Sequence, residues 1–172
     1  KQTSINDISK KLLDKTFWPV SLDMLKAKIN FLELNDKDIQ INKIKVSCSE
    51  HNHPNGATSF KVSINNLKIV YTTDCEHPNS TLNKNVINFA QNSDILIHDS
   101  HFTPNDLISH EGWGHSSWKQ AADVAIQANV KNLFLFHFSP EYTDSKIEKI
   151  ESEAKAYFPK TIAARQGLKI EF

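Results

Sequence analysis

Several features that classify a protein quickly are scarce in this sequence. Its 172 residues carry no surplus charge, because 20 Lys and Arg balance 20 Asp and Glu. A protein that binds nucleic acid by bulk attraction needs surplus positive charge. The balance therefore disfavours that class, although it is compatible with a local basic patch. Cys48 and Cys75 are too few for a disulfide framework and suit a reducing compartment.

Long apolar runs are also lacking. No stretch approaches the length of a membrane span, and no signal-peptide pattern starts at Lys1. We therefore expect a cytoplasmic protein that works away from membranes. Internal repeats and low-complexity tracts are absent as well, and 172 residues are enough for one domain with a sizeable core.

Histidine is absent from the first 50 residues and from the last 35, but the chain has eight histidines between these limits. Imidazole nitrogens are common ligands of zinc, iron and manganese. Any one histidine is more often structural than functional. The clustering of all eight points to a site in the middle of the chain. The histidines are His51, His53, His77, His98, His101, His110, His115 and His137.

The first half of the chain has mostly the alternation of β-strands. After a polar helix that starts near Asn6, we expect a strand at 29–34, a turn at 35–38 and a strand pair over 39–48. Strands at 58–64 and 67–71 follow, and Asn65-Asn66 is a hairpin-type turn between them. This half is therefore predicted to be a β-meander.

The second half alternates helical and strand patterns. Helical spacing runs from Leu82 to Ala90, and a short buried strand ends at His98-Asp99. We expect a loop from Thr103 to Gly114 and then a helix that Ser117 and Gln120 open as a capping box. Later segments are a strand that ends at His137, a helix capped by Thr143, and short strands at 161–163 and 168–172. The order is β-α-β-α-β.

Three polar residues each follow the carboxyl end of a predicted apolar strand, namely Asp74, Asp99 and His137. The carboxyl ends of parallel strands joined by crossover helices collect at one edge of a sheet. A site is therefore expected there. Taken alone, Asp74 could equally cap the helix that Pro78 would start.

Five segments, in order, resemble the later motifs of the metallo-β-lactamase-fold hydrolases, in the branch of phosphodiesterase-like and tRNA 3′-processing-like enzymes. The resemblance covers roughly residues 17–172. It implies an α/β fold of the αββα-sandwich type, here mainly its carboxyl-terminal half. The segments are HPNGATSFKVS, IVYTTDCEHP, SDILIHDSHFT, EGWGHSS and LFLFHFSPEYTD.

The resemblance also implies roles for particular residues. It implies that His53, Asp74 and His137 are metal ligands, with Asp74 bridging two divalent ions. The ions would be zinc, or manganese or iron, and would activate a hydroxide for attack on a phosphodiester bond. His115 in the GWGHSS segment would contact the substrate phosphate or protonate the leaving oxygen, or it could simply pack at the start of its helix.

Each of the other candidate site residues has two possible interpretations. Asp99 either orients a ligand histidine or only ends its strand. Glu76 and His77 line the pocket or lie on the surface, and Trp113 walls the pocket or packs at its rim. Cys75 could bind a soft metal or be a small neighbour of Asp74. The remaining histidines are expected in polar loops or in the core.

One departure from the family pattern is large. The family's first signature, a His-x-His-x-Asp-His run that supplies about half the ligands of a two-metal site, is missing. We therefore expect residues 1–172 to be one incomplete domain of a longer hydrolase that acts on small-molecule, nucleotide or RNA phosphodiesters. Two alternatives stay open: an inactive half-domain that persists as a homodimer, and hydrolysis of lactones, thioesters or β-lactams.

Overall fold

A computed structural model describes residues 4–32, 38–78 and 81–171. The chain divides into two compact units, residues 1–35 and 36–172. The first unit contains helix α1 (Ile5–Leu12), which the Ser4 side chain caps by accepting from the Asp7 N–H, and a 3₁₀ turn (Leu22–Met24). The helix predicted to start near Asn6 is confirmed.

The second unit is built on a seven-stranded sheet in which sequence order equals spatial order. Four antiparallel strands come first: β1 (Ile39–Ile41), β2 (Ile44–His51), β3 (Ala57–Ile64) and β4 (Leu67–Thr72). The parallel strands β5 (Ile95–Asp99), β6 (Asn132–Phe136) and β7 (Thr161–Ala163) then extend the sheet from β4. The predicted meander followed by β-α-β-α-β is therefore confirmed.

Helices make the parallel crossovers. These are α2 (Lys84–Ala90), α3 (Pro104–Ile108), α4 (Trp118–Gln127) and α5 (Asp144–Tyr157). Residues from α2, α4 and α5 share one buried cluster with Val70, Leu96, Leu133 and Leu135 of the sheet. Burying this apolar surface is the main stabilising term of the unit. None of the helices in the described part of the chain is long and apolar enough to cross a bilayer.

The opposite face of the sheet is also apolar. Successive side chains alternate between faces, and paired residues share a face, so the cross-strand register identifies this second set. Three members are notably exposed: Ile41 at 48%, Phe60 at 37% and Tyr71 at 40%. The set includes Ile39, Ile41, Ile44, Val46, Phe60, Val62, Ile69, Tyr71, Ile97 and Phe134.

Three sequence expectations about secondary structure are wrong. Residues 29–32 form no strand, and Ile29 and Leu32 are 43% and 59% exposed. Residues 168–171 also form no strand, because the chain turns at Gly167 (φ 83°) after β7 ends. The stretch predicted as loop from Thr103 contains helix α3, whose N-terminus the Thr103 side chain caps. Residues 33–37, with most of the predicted turn, and Phe172 lie outside the described residues.

The Ser117–Gln120 capping box yields a stability prediction. Ser117 Oγ accepts from the Gln120 N–H at 3.3 Å, and the Ser117 N–H donates to Gln120 Oε1 at 3.0 Å. Ser117→Ala should lower the free energy of unfolding by about 1 kcal/mol, because it leaves a helix N–H without its acceptor. Urea denaturation followed by circular dichroism measures this loss.

The matched control is Ser152→Ala, which removes an exposed hydroxyl from the middle of α5. It should change the free energy of unfolding by less than about 0.5 kcal/mol. Equal denaturation midpoints for Ser117→Ala and the wild-type chain would show that the Ser117 side chain contributes nothing to the stability of the helix.

Candidate functional site

The carboxyl ends of β4, β5 and β6 meet at one edge of the sheet. The register pairs Thr72 with His98 and His98 with Leu135, so the three strands end side by side. Asp74 follows β4, Asp99 is the last residue of β5, and His137 follows β6. The convergence expected from the strand order is therefore present.

Asp74 and His137 both adopt the left-handed backbone conformation, with φ of 54° and 62°. This region is unfavourable for residues with a side chain and persists where surrounding structure enforces it. In this chain the side chain of His51 holds the backbone at Asp74, and the side chain of His101 holds the backbone at His137. His51 Nε2 lies 3.2 Å from the carbonyl oxygens of both Thr73 and Asp74. His101 Nδ1 lies 2.9 Å from the carbonyl oxygen of His137.

The state of His51 follows from its partners. Carbonyl oxygens only accept, so Nε2 carries the proton and Nδ1 accepts from the Ser59 hydroxyl at 2.9 Å. Burial lowers the pKa of His51, which keeps the ring neutral. His51 therefore holds the turn that presents Asp74, a role that the sequence did not reveal.

Asp99 is fully buried and is surrounded by hydrogen-bond donors. Its carboxylate accepts from His115 Nδ1 at 2.8 Å, the Ser116 N–H at 3.0 Å and the His101 N–H at 3.1 Å. Burial would raise the pKa of Asp99, but the hydrogen bonds from His115 and Ser116 outweigh it and the pKa is lowered. Asp99 is therefore an ionised carboxylate that orients His115.

The pKa of His115 shifts in the opposite direction to that of Asp99. Its hydrogen bond to Asp99 raises the pKa of His115, burial opposes this, and the charges of Asp99 and Asp74 add to the increase. The charged imidazolium is therefore favoured more than in a free histidine. The structure places this ring just before α4, whose N-terminus favours anions.

Four imidazole rings, those of His53, His101, His115 and His137, lie close together, with His115 at the centre of the group. His101 stacks on His115 with centroids 4.3 Å apart, His137 lies 5.0 Å from His115, and His53 lies 6.1 Å from it. One ligand atom each of His101, His115 and His137 lies within 4.8 Å of the others. Asp74 Oδ1 is 3.6 Å from His137 Nε2.

His53 reaches this group because Gly114 leaves room for it. A Cβ at position 114 would lie 2.3 Å from His53 Cδ2, and the glycine has φ of 89°. Any other residue would clash with the imidazole and strain the backbone. The glycine of the GWGHSS segment thus couples the positions of His53 and His115.

The donor set fits a divalent cation. The 3.6 Å between Asp74 Oδ1 and His137 Nε2 is too long for a hydrogen bond. It is close to the separation of about 3.4 Å expected for two tetrahedral ligands of one zinc ion. Imidazole nitrogen and carboxylate oxygen also suit iron and manganese. Asp74 and His137 are 44% and 36% exposed, so an ion and a substrate can reach them.

A cavity of about 210 Å³ adjoins His115. Glu76, His77 and Gln120 line it together with apolar residues of α3. The Glu76 carboxylate accepts from the Gly112 N–H, which ties the GWGHSS loop to the segment after β4. Trp113 lies outside this cavity, is 61% exposed, and packs edge-to-face on His110 at 4.6 Å.

His77 is also part of a buried cluster with Cys75 and His98. His77 is 4% exposed, its Nδ1 accepts from the Asn83 N–H at 3.1 Å, and it stacks on His98 at 5.4 Å. Burial lowers the pKa of His77 to about 3, so the ring is neutral. The placement of His77 on the surface, one of the two sequence interpretations, is therefore wrong.

The sequence interpretation missed the positions of His51 and His101 next to the site. Both were expected only in polar loops or the core. The signal for His101 was its position two residues after Asp99 at a predicted strand end. The contact of His51 with Thr73 and Asp74 spans more than 20 residues, and no local pattern reports it.

The sequence of this chain is similar to those of known proteins. Residues 14–138 match the family model described as a β-lactamase superfamily domain. A ribonuclease Z of Picrophilus torridus is 40% identical over 100 residues, which are 58% of this chain and 30% of that protein. The chain thus matches less than a third of the length of this relative.

Two solved structures have similar folds. The metallo-β-lactamase fold protein YhfI from Bacillus subtilis superposes with a TM-score of 0.64 at 22% identity, over 77% of this chain and 52% of that one. Zn²⁺-bound PqqB from Methylobacterium extorquens superposes with a TM-score of 0.63 at 13% identity, over 98% of this chain and 61% of that one. At these identities the likeness shows the fold alone.

The bond between Asp99 and His115 yields a prediction about titration. Asp99→Asn removes the negative charge that favours the imidazolium, so the pKa of His115 should fall. An NMR titration of the His115 Cε1–H resonance in the wild-type and variant chains measures it. Asp123→Asn, which alters a carboxylate bonded to Lys119 on α4, is the control and should leave the His115 pKa in place. A His115 pKa that stays constant or rises in Asp99→Asn would contradict the assignment.

Proposed function

The chain belongs to the β-lactamase superfamily domain family, and on this premise we propose that the protein containing it is a metal-dependent hydrolase of phosphodiester bonds. One observation carries the proposal. Asp74, Asp99 and His137 lie at adjacent strand ends, and Asp99 holds His115 beside them through a hydrogen bond. The ribonuclease Z relatives support a nucleic-acid substrate, because their name describes a ribonuclease.

In this proposal His53, Asp74 and His137 hold the metal, with further ligands supplied by a segment outside this sequence. Residues 1–172 are then one incomplete domain. Zinc is the first choice, since the PqqB structure with the same fold is described as Zn²⁺-bound. Manganese and iron fit the same donors. When bound, a divalent cation supplies Lewis acidity to a phosphoryl oxygen and to water.

His115 supplies the second part of the chemistry. Its Nδ1 is held by Asp99, so Nε2 is the nitrogen left to meet a substrate. In the charged state favoured by Asp99, it can donate to a phosphoryl oxygen or protonate the leaving oxygen, an effect worth about 10²–10⁴ in rate. A cationic ring before a helix N-terminus suits an anionic phosphodiester better than a neutral lactam.

The Asp74 assignment is tested with a generic phosphodiester. In the longer protein, loaded with zinc, Asp74→Ala should lower kcat for bis-p-nitrophenyl phosphate at least about 100-fold, because it removes a charged metal ligand. Release of p-nitrophenolate measures the rate. Asp144→Ala, which removes an exposed carboxylate in the first turn of α5, should retain full activity. Equal turnover by Asp74→Ala and wild type would refute the proposal.

A second candidate, self-association of this chain as a homodimer, is favoured by the second apolar face of the sheet. Contiguous exposed apolar surface on a sheet favours pairing with another copy. Phe60 and Tyr71 are a cross-strand pair on this face, 37% and 40% exposed. In this reading the 172-residue chain persists as an inactive half-domain.

The double variant Phe60→Lys, Tyr71→Glu should convert a dimer into a monomer, because it places charged side chains on the apolar face. The two new charges are opposite and lie at paired positions, so they attract each other and the pairing of β3 with β4 is retained. Sedimentation velocity measures the mass. The control exchanges the exposed pair Lys149 and Glu153 on α5 and should leave the mass unchanged. A wild-type chain that sediments as a monomer would exclude this candidate.

A further inference from the structure

We propose that a second cavity, which His101, Phe102, His110 and Trp113 line, binds the nucleobase next to the scissile phosphate, with Trp113 as its stacking partner. The inference rests on the proposed function, since it needs a phosphate at His115. This aromatic cavity has a volume of about 300 Å³. Small-molecule pockets range from about 300 to about 1,000 Å³, so the aromatic cavity suits one flat ring system.

A series of contacting rings connects His115 to Trp113. His101 stacks on His115 with centroids 4.3 Å apart, and Phe102 meets His101 edge-on at 4.6 Å. His110 stacks on Phe102 at 4.5 Å, and Trp113 meets His110 at 4.6 Å. Trp113 and His115 are also two residues apart, so their Cα atoms lie within about 7 Å of each other. A base joined through one ribose to a phosphate at His115 can therefore reach the aromatic cavity.

Trp113 is held by its backbone, yet its side chain is exposed. It lies between Gly112 and Gly114, which have left-handed φ of 86° and 89°. The Trp113 N–H donates to the His110 carbonyl oxygen at 3.2 Å, and the Gly112 N–H donates to the Glu76 carboxylate. The indole is 61% exposed. A large, rigid ring on a fixed backbone loses little freedom on binding, and stacking accepts every base because each has a π-face.

The aromatic cavity also offers hydrogen-bond partners for the edge of a base. Lys146 Nζ lies 3.0 Å from Asp106 Oδ2 and 3.6 Å from the centroid of the Tyr142 ring. Hydrogen bonds from Tyr142 and Lys146 lower the pKa of Asp106 to about 2, so this carboxylate is ionised at neutral pH. Lys146 can donate, and Asp106 and Glu141, which also line the cavity, can accept. Base edges carry both donors and acceptors.

The cavity of about 210 Å³ beside Glu76 is less suited to a nucleotide. Its described lining residues include two carboxylates, Glu76 and Glu111, and no lysine or arginine. Two negative charges repel an anionic substrate. In the aromatic cavity, by contrast, the Lys146 ammonium offsets the charge of Asp106. Of the two cavities, the aromatic one is therefore the better site for a base attached to a phosphate.

The test is a titration of the 172-residue chain with adenosine 5′-monophosphate, followed by NMR at the Trp113 indole N–H and by calorimetry. This resonance should shift with the nucleotide and with adenosine, but not with ribose 5-phosphate, which lacks the base. Trp113→Ala should bind the nucleotide at least about fivefold more weakly, because it lacks the stacking surface. Trp113→Phe should retain most of the affinity. Trp18→Ala removes an indole that is 57% exposed in the first unit, and as the matched control it should bind as the wild type does.

The outcomes separate this inference from the proposed function. If Trp113→Ala binds the nucleotide as tightly as the wild type, or if ribose 5-phosphate shifts the Trp113 resonance as much as the nucleotide does, only the nucleobase assignment is overturned. Hydrolysis of bis-p-nitrophenyl phosphate and its loss in Asp74→Ala would be unaffected by that result. If Asp74→Ala instead keeps full turnover, the proposed function is overturned, and the role of the aromatic cavity in substrate binding is overturned with it.

Discussion

The buried carboxylate of Asp99 holds the site together. It accepts from His115 and Ser116 before α4 and from His101 after β5, and the Cys75 N–H after β4 lies 3.4 Å away. A buried charge is unfavourable unless donors surround it. Each of these loops therefore has to bring its donor to the same place. The single carboxylate thus couples the positions of Asp74, His101 and His115.

The sheet supplies the rigid frame for this arrangement. Parallel pairing of β4, β5 and β6 aligns their carboxyl ends, and the α2, α4 and α5 cluster buries one face of the sheet. The loops beyond the strand ends can then adopt strained backbone at Asp74 and His137, because the frame and the histidines His51 and His101 hold them. Stability comes from the buried face, and the chemistry of the proposed function lies at its edge.

Much of the fold was predictable because local signals agreed with the tertiary arrangement. The Ser117–Gln120 box, the Thr143 cap and the Asn65 turn each specify a boundary through a short-range hydrogen bond or a backbone preference. The failures occurred where a local pattern was weak or unsupported. The apolar residues of 29–32 look like a strand, but a strand needs a partner, and α3 is too short to show periodicity.

For the site, the sequence alone determined the donor types and their placement at strand ends, since alternation and order predict where parallel strands finish. It thereby identified Asp74, Asp99 and His137 as neighbours. Only the tertiary structure decided how the histidines divide: His101 among the candidate ligands, His51 behind Asp74, and His77 in a buried pair with His98. The reason is physical. Hydrogen bonds to carbonyl oxygens 22 and 36 residues away in the sequence fix the tautomer and direction of the His51 and His101 rings, and no sequence period encodes such bonds.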